Sequence, residues 1–265
     1  MSAALRLATA LPIGVFDSGI GGLSILKALR AELPGERFVY LADTAHAPYG
    51  ERDDSFVMER TRAIVQQLRE EHAIKAMVIA CNTATAAAVH QTRTEHPGLP
   101  VVGVEPALKP ALALSRTRRI GVLATRATLG SAKFAALHAS LKDQAQFVLQ
   151  PCDGLAAAIE SDDAPLIAAL CEQYMRSAGE FGTNEGQIDT LVLGCTHYPF
   201  AAAEFARLAG PGVQLVETGA PVARQARRLL EAAGLLSEGA AGGFELLATG
   251  SREALAGAAR RWQLH

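Results

Sequence analysis

Two stretches, Val78-Ile79-Ala80-Cys81-Asn82-Thr83-Ala84-Thr85 and Val192-Leu193-Gly194-Cys195-Thr196-His197-Tyr198-Pro199, decide how this chain is read. Each is a short aliphatic run, the pattern of a strand buried on both faces, and each ends in a cysteine. Small hydroxyl or amide side chains follow at once, and then the pattern of a helix. A thiol at a strand-to-helix junction sits where backbone N–H groups converge and a helix dipole favours negative charge. Two such thiols, one from each half of the chain, suit an acid and a base acting on opposite faces of one bound molecule.

Working outward, the upstream context of each stretch also repeats. Ile120-Gly121-Val122-Leu123-Ala124-Thr125 echoes Ile13-Gly14-Val15-Phe16-Asp17-Ser18, and the two runs precede their cysteines by 68 and 75 residues, Ile13 to Cys81 and Ile120 to Cys195. The chain therefore reads as two diverged copies of one β/α unit. Strands are expected at 13–17, 37–43, 76–81, which ends in the first cysteine, 101–105, 119–125, 213–217 and 244–249, with a further strand ending at Cys195. Helices are expected after the glycine turn at 18–22 and at 53–72, 130–142, 164–178, 200–209 and 220–234. Strands alternating with helices predict an α/β fold of mostly parallel sheets, in two pseudo-symmetric domains. The boundaries expected are 1–106 plus 219–265 for the first domain and 107–218 for the second. The Gly/Ala-rich stretch 239–243 reads as a loop.

Composition narrows the function classes. The chain has 265 residues, 49% of them hydrophobic, a net charge of −2 and four cysteines. That balance gives no electrostatic footprint for nucleic acid or an anionic membrane. None of Cys81, Cys152, Cys171 and Cys195 is in CxxC spacing, so neither a zinc site nor a thioredoxin-like motif is signalled. A chain of this size folds without disulfides, which points to a reducing, cytoplasmic setting. The start, MSAALRLATALP, is read as a short extension because Arg6 interrupts its apolar run.

The turn Ser18-Gly19-Ile20-Gly21-Gly22 lacks the third glycine of a dinucleotide fingerprint and no GK[ST] follows; its glycines suit backbone approach to a small anionic ligand. The polar loop Thr44-Ala45-His46-Ala47-Pro48-Tyr49-Gly50 lies just past a strand end, where open α/β sheets bind ligands. Cys171 shares a helical stripe with Ile167, Leu170 and Tyr174 and reads as core, and Cys152 is read the same way. Asp17 reads equally as a helix cap or as a partner of a thiol. His197, two residues after Cys195, suits proton relay. Glu160, at the end of Leu155-Ala156-Ala157-Ala158-Ile159, reads on its own as an exposed helix-end charge.

A pair of opposed thiols suits inversion at a carbon stereocentre. One thiolate removes a proton from carbon while the opposite thiol delivers one. Each sulfur would then stand roughly 3–3.5 Å from that carbon.

The set DSGIGGLS, DTAHAPYG, IACNTAT, GVEPA, LGCTHYPF and LLATGS, in this order between residues 13 and 251, closely resembles the glutamate racemases of the aspartate/glutamate racemase superfamily. The resemblance implies two pseudo-symmetric α/β domains with the active site in the cleft between them, and L/D-glutamate interconversion that supplies peptidoglycan synthesis. It implies Cys81 and Cys195 as the acid/base pair, with no PLP and no metal. Asp17, Glu160 and His197 would assist them. Asp17, Ser18, Tyr49, Gly50, Asn82, Thr83, Thr196 and His197 would bind the substrate. It also implies a homodimer, and in some members a peptidoglycan-precursor activator. Three segments depart from the family pattern: His46 stands where Arg is usual, and Pro151-Cys152-Asp153-Gly154-Leu155 and Val216-Glu217-Thr218-Gly219 are atypical. An aspartate or hydantoin racemase, a single-cysteine decarboxylase, a non-catalytic amino-acid-binding protein and a cysteine hydrolase are the competing readings.

Overall fold

The structure, a computed structural model, describes residues 3–237, 239 and 242–264. It divides into two compact units, Met1–Val104 with Gly219–His265, and Glu105–Thr218.

In the first unit, helix α1 (Ala3–Ala10) leads into strand β1 (Ile13–Asp17). Then come α2 (Leu23–Glu32), β2 (Phe38–Ala42), α3 (Asp54–His72), β3 (Ala76–Ile79), α4 (Asn82–Glu95) and β4 (Val101–Gly103). All five residues of β1 and of β2 are buried, as continuous apolar strands in the middle of a parallel sheet must be. Helix α3 starts where Asp53 accepts the amide of Phe56 at 2.8 Å, a side-chain cap on an otherwise orphaned N–H. Its buried stripe of Val57, Ile64, Val65 and Leu68 joins Phe16, Ile79 and Met77 in one core cluster. Each such aliphatic side chain contributes roughly 1.5–3 kcal/mol by leaving water.

The second unit contains α5 (Leu108–Leu114), β5 (Arg119–Ala124), α6 (Arg126–Gly130), α7 (Ala132–Ala139), β6 (Gln146–Pro151) and α8 (Leu155–Glu160). It continues with α9 (Ala164–Ala178), β7 (Thr190–Leu193), α10 (Ala202–Ala209) and β8 (Gln214–Val216). The chain then returns to the first unit as α11 (Gly219–Ala232), β9 (Phe244–Ala248) and α12 (Arg252–Arg261).

Among the described residues every strand pairing is parallel. The first sheet runs β4-β3-β1-β2-β9 and the second β6-β5-β7-β8. Read from the other edge, the second is β8-β7-β5-β6, the same order as β4-β3-β1-β2. Thus β5 corresponds to β1 and β7 to β3, and β9 is an additional edge strand. The correspondence reaches single residues. Gly14 and Gly121 each follow the isoleucine of their central strand, Ile13 or Ile120, and a Cβ at either would stand 2.9 Å from an aliphatic methyl, of Ile74 or of Leu191.

Several local expectations are corrected. The helix expected at 130–142 is shorter, Ala132–Ala139, and a separate short helix, α6, precedes it, because Ser131 adopts an extended conformation and its hydroxyl accepts the amide of Phe134 to start α7. The helix expected at 200–209 begins earlier, as a 3-10 turn at Tyr198–Ala201 with Pro199 in its first positions, and α10 follows from Ala202. The strand expected at 76–81 ends at Ile79, leaving Cys81 to cap the next helix. Elements α1, α5, β6 and α12 were not among those expected; β6 is an edge strand with exposed residues and lacks a buried strand's apolar run. Of the 239–243 loop, residues 240 and 241 lie outside the described residues.

Candidate active site

The C-terminal ends of the central strands carry the chemistry-bearing side chains of each unit. In the first unit, Ala80 donates its amide to Phe16 O at 2.7 Å, which ties the Cys81 junction to the end of β1. Cys81 is buried and is the N-cap of α4: the Ala84 amide donates to its Sγ at 3.5 Å. A fourteen-residue helix thus begins on this sulfur, and its dipole favours the thiolate. The hydroxyl of Ser18 lies 3.7 Å from the same sulfur and donates to Asp17 Oδ1 at 3.4 Å. Asp17 Oδ1 also accepts the amide of Gly19 at 2.8 Å, so this carboxylate shapes the glycine turn. Gly22 has an ordinary helical φ of −64°; a Cβ there would stand 2.6 Å from Asp17 Cβ and 2.9 Å from the Tyr40 hydroxyl. Space beside Asp17, rather than an unusual backbone angle, demands that glycine.

Asn82 is buried, yet neither its amide nitrogen nor its carbonyl oxygen meets a hydrogen-bond partner among the described residues. A buried carboxamide left so costs roughly 1–3 kcal/mol, which a polar ligand would offset. Thr83 is buried next to it.

The loop 44–50 is anchored at both ends. Tyr49 is buried, with its ring 6.0 Å from Phe16 and edge-on to Phe56 at 6.2 Å. Its hydroxyl donates to Asp43 Oδ2 at 2.5 Å. Burial and the adjacent Asp43 push the Tyr49 phenol well above its usual range, so it stays protonated. With the phenol committed, what Tyr49 and Gly50 offer a ligand is backbone, at the start of the 3-10 turn Tyr49–Glu51, where amides have no partner within the turn.

The second unit builds its cysteine differently. Gly194 donates its amide to Leu123 O at 2.7 Å, the counterpart of the Ala80–Phe16 bond. Cys195 is buried, and its Sγ lies 3.6 Å from Nδ1 of His197. Nε2 of the same ring lies 2.5 Å from Glu160 Oε1. Burial works against a charged imidazole here, but the bonds to Cys195 and Glu160 and the Glu160 charge outweigh it. The His197 pKa is held well above 6.5. Thr196 is buried between the two. Glu160 closes α8 and is half-buried, not the exposed helix-end charge its local sequence suggests.

Cys152 and Cys171 are buried, and desolvation pushes both thiols up, Cys171 to about 12. They are core residues, inert as bases. Sequence reasoning missed Asp43, which accepts from Tyr49, Arg60, Thr249 and His46. The available signal was a carboxylate at the C-terminal end of an apolar strand: Asp43 directly follows β2, as Asp17 ends β1.

Comparison with known proteins agrees with this arrangement. The Asp/Glu/Hydantoin racemase family model matches residues 22–226. The chain is 46% identical over 246 residues to a glutamate racemase of Pseudomonas putida, covering 92% of this chain and 91% of that protein. It is 49% identical over 240 residues to one of Ralstonia nicotianae, covering 90% and 84%. Among solved structures, a glutamate racemase isoform from Bacillus anthracis superposes with a TM-score of 0.85 at 28% identity, covering 97% of this chain and 95% of that one. Glutamate racemase from Escherichia coli, solved with L-glutamate and the activator UDP-MurNAc-ala, gives 0.82 at 30% identity and covers 95% of each. With the parallel sheets and the paired cysteine junctions, these matches establish that the chain belongs to the Asp/Glu/hydantoin racemase family and, within it, to the glutamate racemases.

Proposed function

We propose that this enzyme interconverts L- and D-glutamate without a cofactor, using Cys81 and Cys195 as the two acid/base groups. The observation that carries the reading is the matched placement of the thiols. Each follows the strand next to its central strand by two residues, β3 in one sheet and β7 in the other. In this scheme one sulfur, as thiolate, takes the Cα proton of glutamate. The other, as thiol, protonates the opposite face of the carbanion, and the configuration inverts.

An amino-acid Cα–H is a weak acid, so charge developing beyond it must be met by fixed donors. Asn82, whose carboxamide is buried without a partner, fits that task, as do Thr83, Thr196 and the amides of Tyr49 and Gly50. Ser18 and Asp17 serve the Cys81 side, and His197 with Glu160 serves Cys195.

D-glutamate made this way supplies peptidoglycan synthesis, and the activator bound to the Escherichia coli relative makes a nucleotide-linked precursor the candidate regulator here. A homodimer belongs to the same proposal and is checked by sedimentation. The deciding experiment runs L-glutamate with purified enzyme in deuterated water, alongside aspartate and a hydantoin. D-glutamate carrying deuterium at Cα is the expected product. Inversion without solvent deuterium would exclude exchangeable thiols as the bases, and turnover of aspartate or hydantoin alone would exclude glutamate as substrate.

A further inference from the structure

Asp43 is fully buried at the end of β2, and its carboxylate collects bonds from four separate places. Arg60 of α3 grips it with both sides of its fork, Nε to Oδ2 and Nη2 to Oδ1, each 3.0 Å. The Tyr49 hydroxyl donates to Oδ2 and the Thr249 hydroxyl to Oδ1 at 2.8 Å, while His46 Nδ1 lies 2.9 Å from Oδ1. Thr249 follows β9, about two hundred residues along the chain, and its hydroxyl also accepts the amide of Ala45 at 3.2 Å. Next to it, Gly250 donates its amide to Thr44 Oγ1 at 3.2 Å, and a Cβ on Gly250 would stand 2.7 Å from that oxygen. Between Asp43 and Tyr49 the loop has no buried residue. It has no apolar core of its own, so polar bonds to this carboxylate and to the turn after β9 set its course.

We propose that Asp43, clamped by Arg60 and by Thr249 of the turn after β9, is a positioning residue that sets the Tyr49–Gly50 amides for the substrate. The additional edge strand, absent from the second unit, thereby acquires a role: it delivers the Thr249 hydroxyl to the binding loop. His46 is a fourth member of the same cluster, which gives the departure from the family's usual Arg a place in the loop. The proposal rests on the reading that Tyr49 and Gly50 contact glutamate.

The test compares Thr249→Val, which removes the hydroxyl at nearly constant volume, with Thr249→Ser, which keeps the hydroxyl and loses only a methyl. Arg60→Met is the stronger lesion, and Thr61→Val on the same helix is the control, since Thr61 bonds only Val57 O within α3. Thr249→Val should raise KM for glutamate about fivefold and Arg60→Met about tenfold or more, with kcat within about twofold. Thr249→Ser and Thr61→Val should keep the parent KM. Amide hydrogen exchange at residues 44–52 should quicken in the first two variants and stay unchanged in the second two. An unaltered KM in Thr249→Val and Arg60→Met, or a fall in kcat with KM unchanged, overturns the inference. A parent enzyme inactive on glutamate overturns the functional reading instead. Exchange at 44–52 then still decides whether Asp43 holds the loop, and unchanged exchange refutes it.

Discussion

Cys81 and Cys195 follow equivalent strands at equivalent distances, yet the two units prepare their thiols by different physical means. After Cys81 the chain enters a full α-helix at once, and the sulfur itself caps it by accepting the Ala84 amide. Backbone dipoles and the Ser18 hydroxyl lie beside the sulfur. After Cys195 a proline-containing 3-10 turn comes first, so no long helix starts on the sulfur. In its place stands a side-chain chain, Cys195–His197–Glu160. A duplicated scaffold has kept the position of the thiol while the groups beside it have diverged. The lesson concerns where symmetry acts: it fixes strand order and the cysteine's offset, and the residues one and two places further on set the electrostatics.

The comparison can be broken or sharpened by substitution. The largest effect belongs to the sulfurs. Cys81→Ser and Cys195→Ser should each lower kcat/KM by about 10³-fold or more, because a serine hydroxyl is far too weak an acid to exchange with carbon at neutral pH. A circular-dichroism racemisation assay reads this, and a single variant retaining most activity would remove that cysteine from the mechanism. Enantiomers have equal free energies in water, so kcat/KM must fall equally for both directions of reaction. Any asymmetry between the two variants will therefore appear in the separate kcat values.

His197→Asn comes next, with a loss of about 10²-fold in kcat/KM. It should also flatten one limb of the pH–rate profile, which a purely structural residue would leave in place. Glu160→Gln should cost about tenfold. Glu160 raises the His197 pKa, so its loss should move the corresponding ionisation to lower pH; a shift upward would contradict the pairing. Ser18→Ala should cost least, about two- to fivefold, since the Ala84 amide and the α4 dipole remain on Cys81.

Stability offers an independent readout of the same contrast. The His197 pKa is raised on folding, so its contribution is fully present below about 6.5 and is lost as pH rises through the raised value. Thermal unfolding of the parent and His197→Asn proteins should differ most near pH 6 and converge in alkaline solution. Asp43 has the opposite sign. Burial alone would raise its pKa, but Arg60, Tyr49, Thr249 and His46 together hold it below the ordinary carboxylate value. Its contribution is present above pH ~3.8 and is lost in acid.

The sequence carried the repeat in unusual detail. Ile13-Gly14-Val15 and Ile120-Gly121-Val122 are central strands in matching sheets, and helix α9 runs over 164–178 as its periodicity requires. Such features are local, written in apolar runs and turn residues that can be read in order. The split at Ser131 and the 3-10 start at Tyr198 were less legible, since one residue's backbone angle decides each. Glu160 was the plainest failure of local reading: nothing in Leu155–Glu160 announces a histidine thirty-seven residues downstream.

By itself, then, the chain's order of residues determined the α/β class, the duplicated strand pattern and the two cysteine junctions, because hydrophobic periodicity and helix-start chemistry act over a few neighbouring positions. Only the tertiary structure decided that Glu160 meets His197, that the Tyr49 phenol is spent on Asp43, and that Thr249 reaches the loop after β2. Those contacts join side chains far apart along the chain, and which of them meet depends on how whole strands and helices pack.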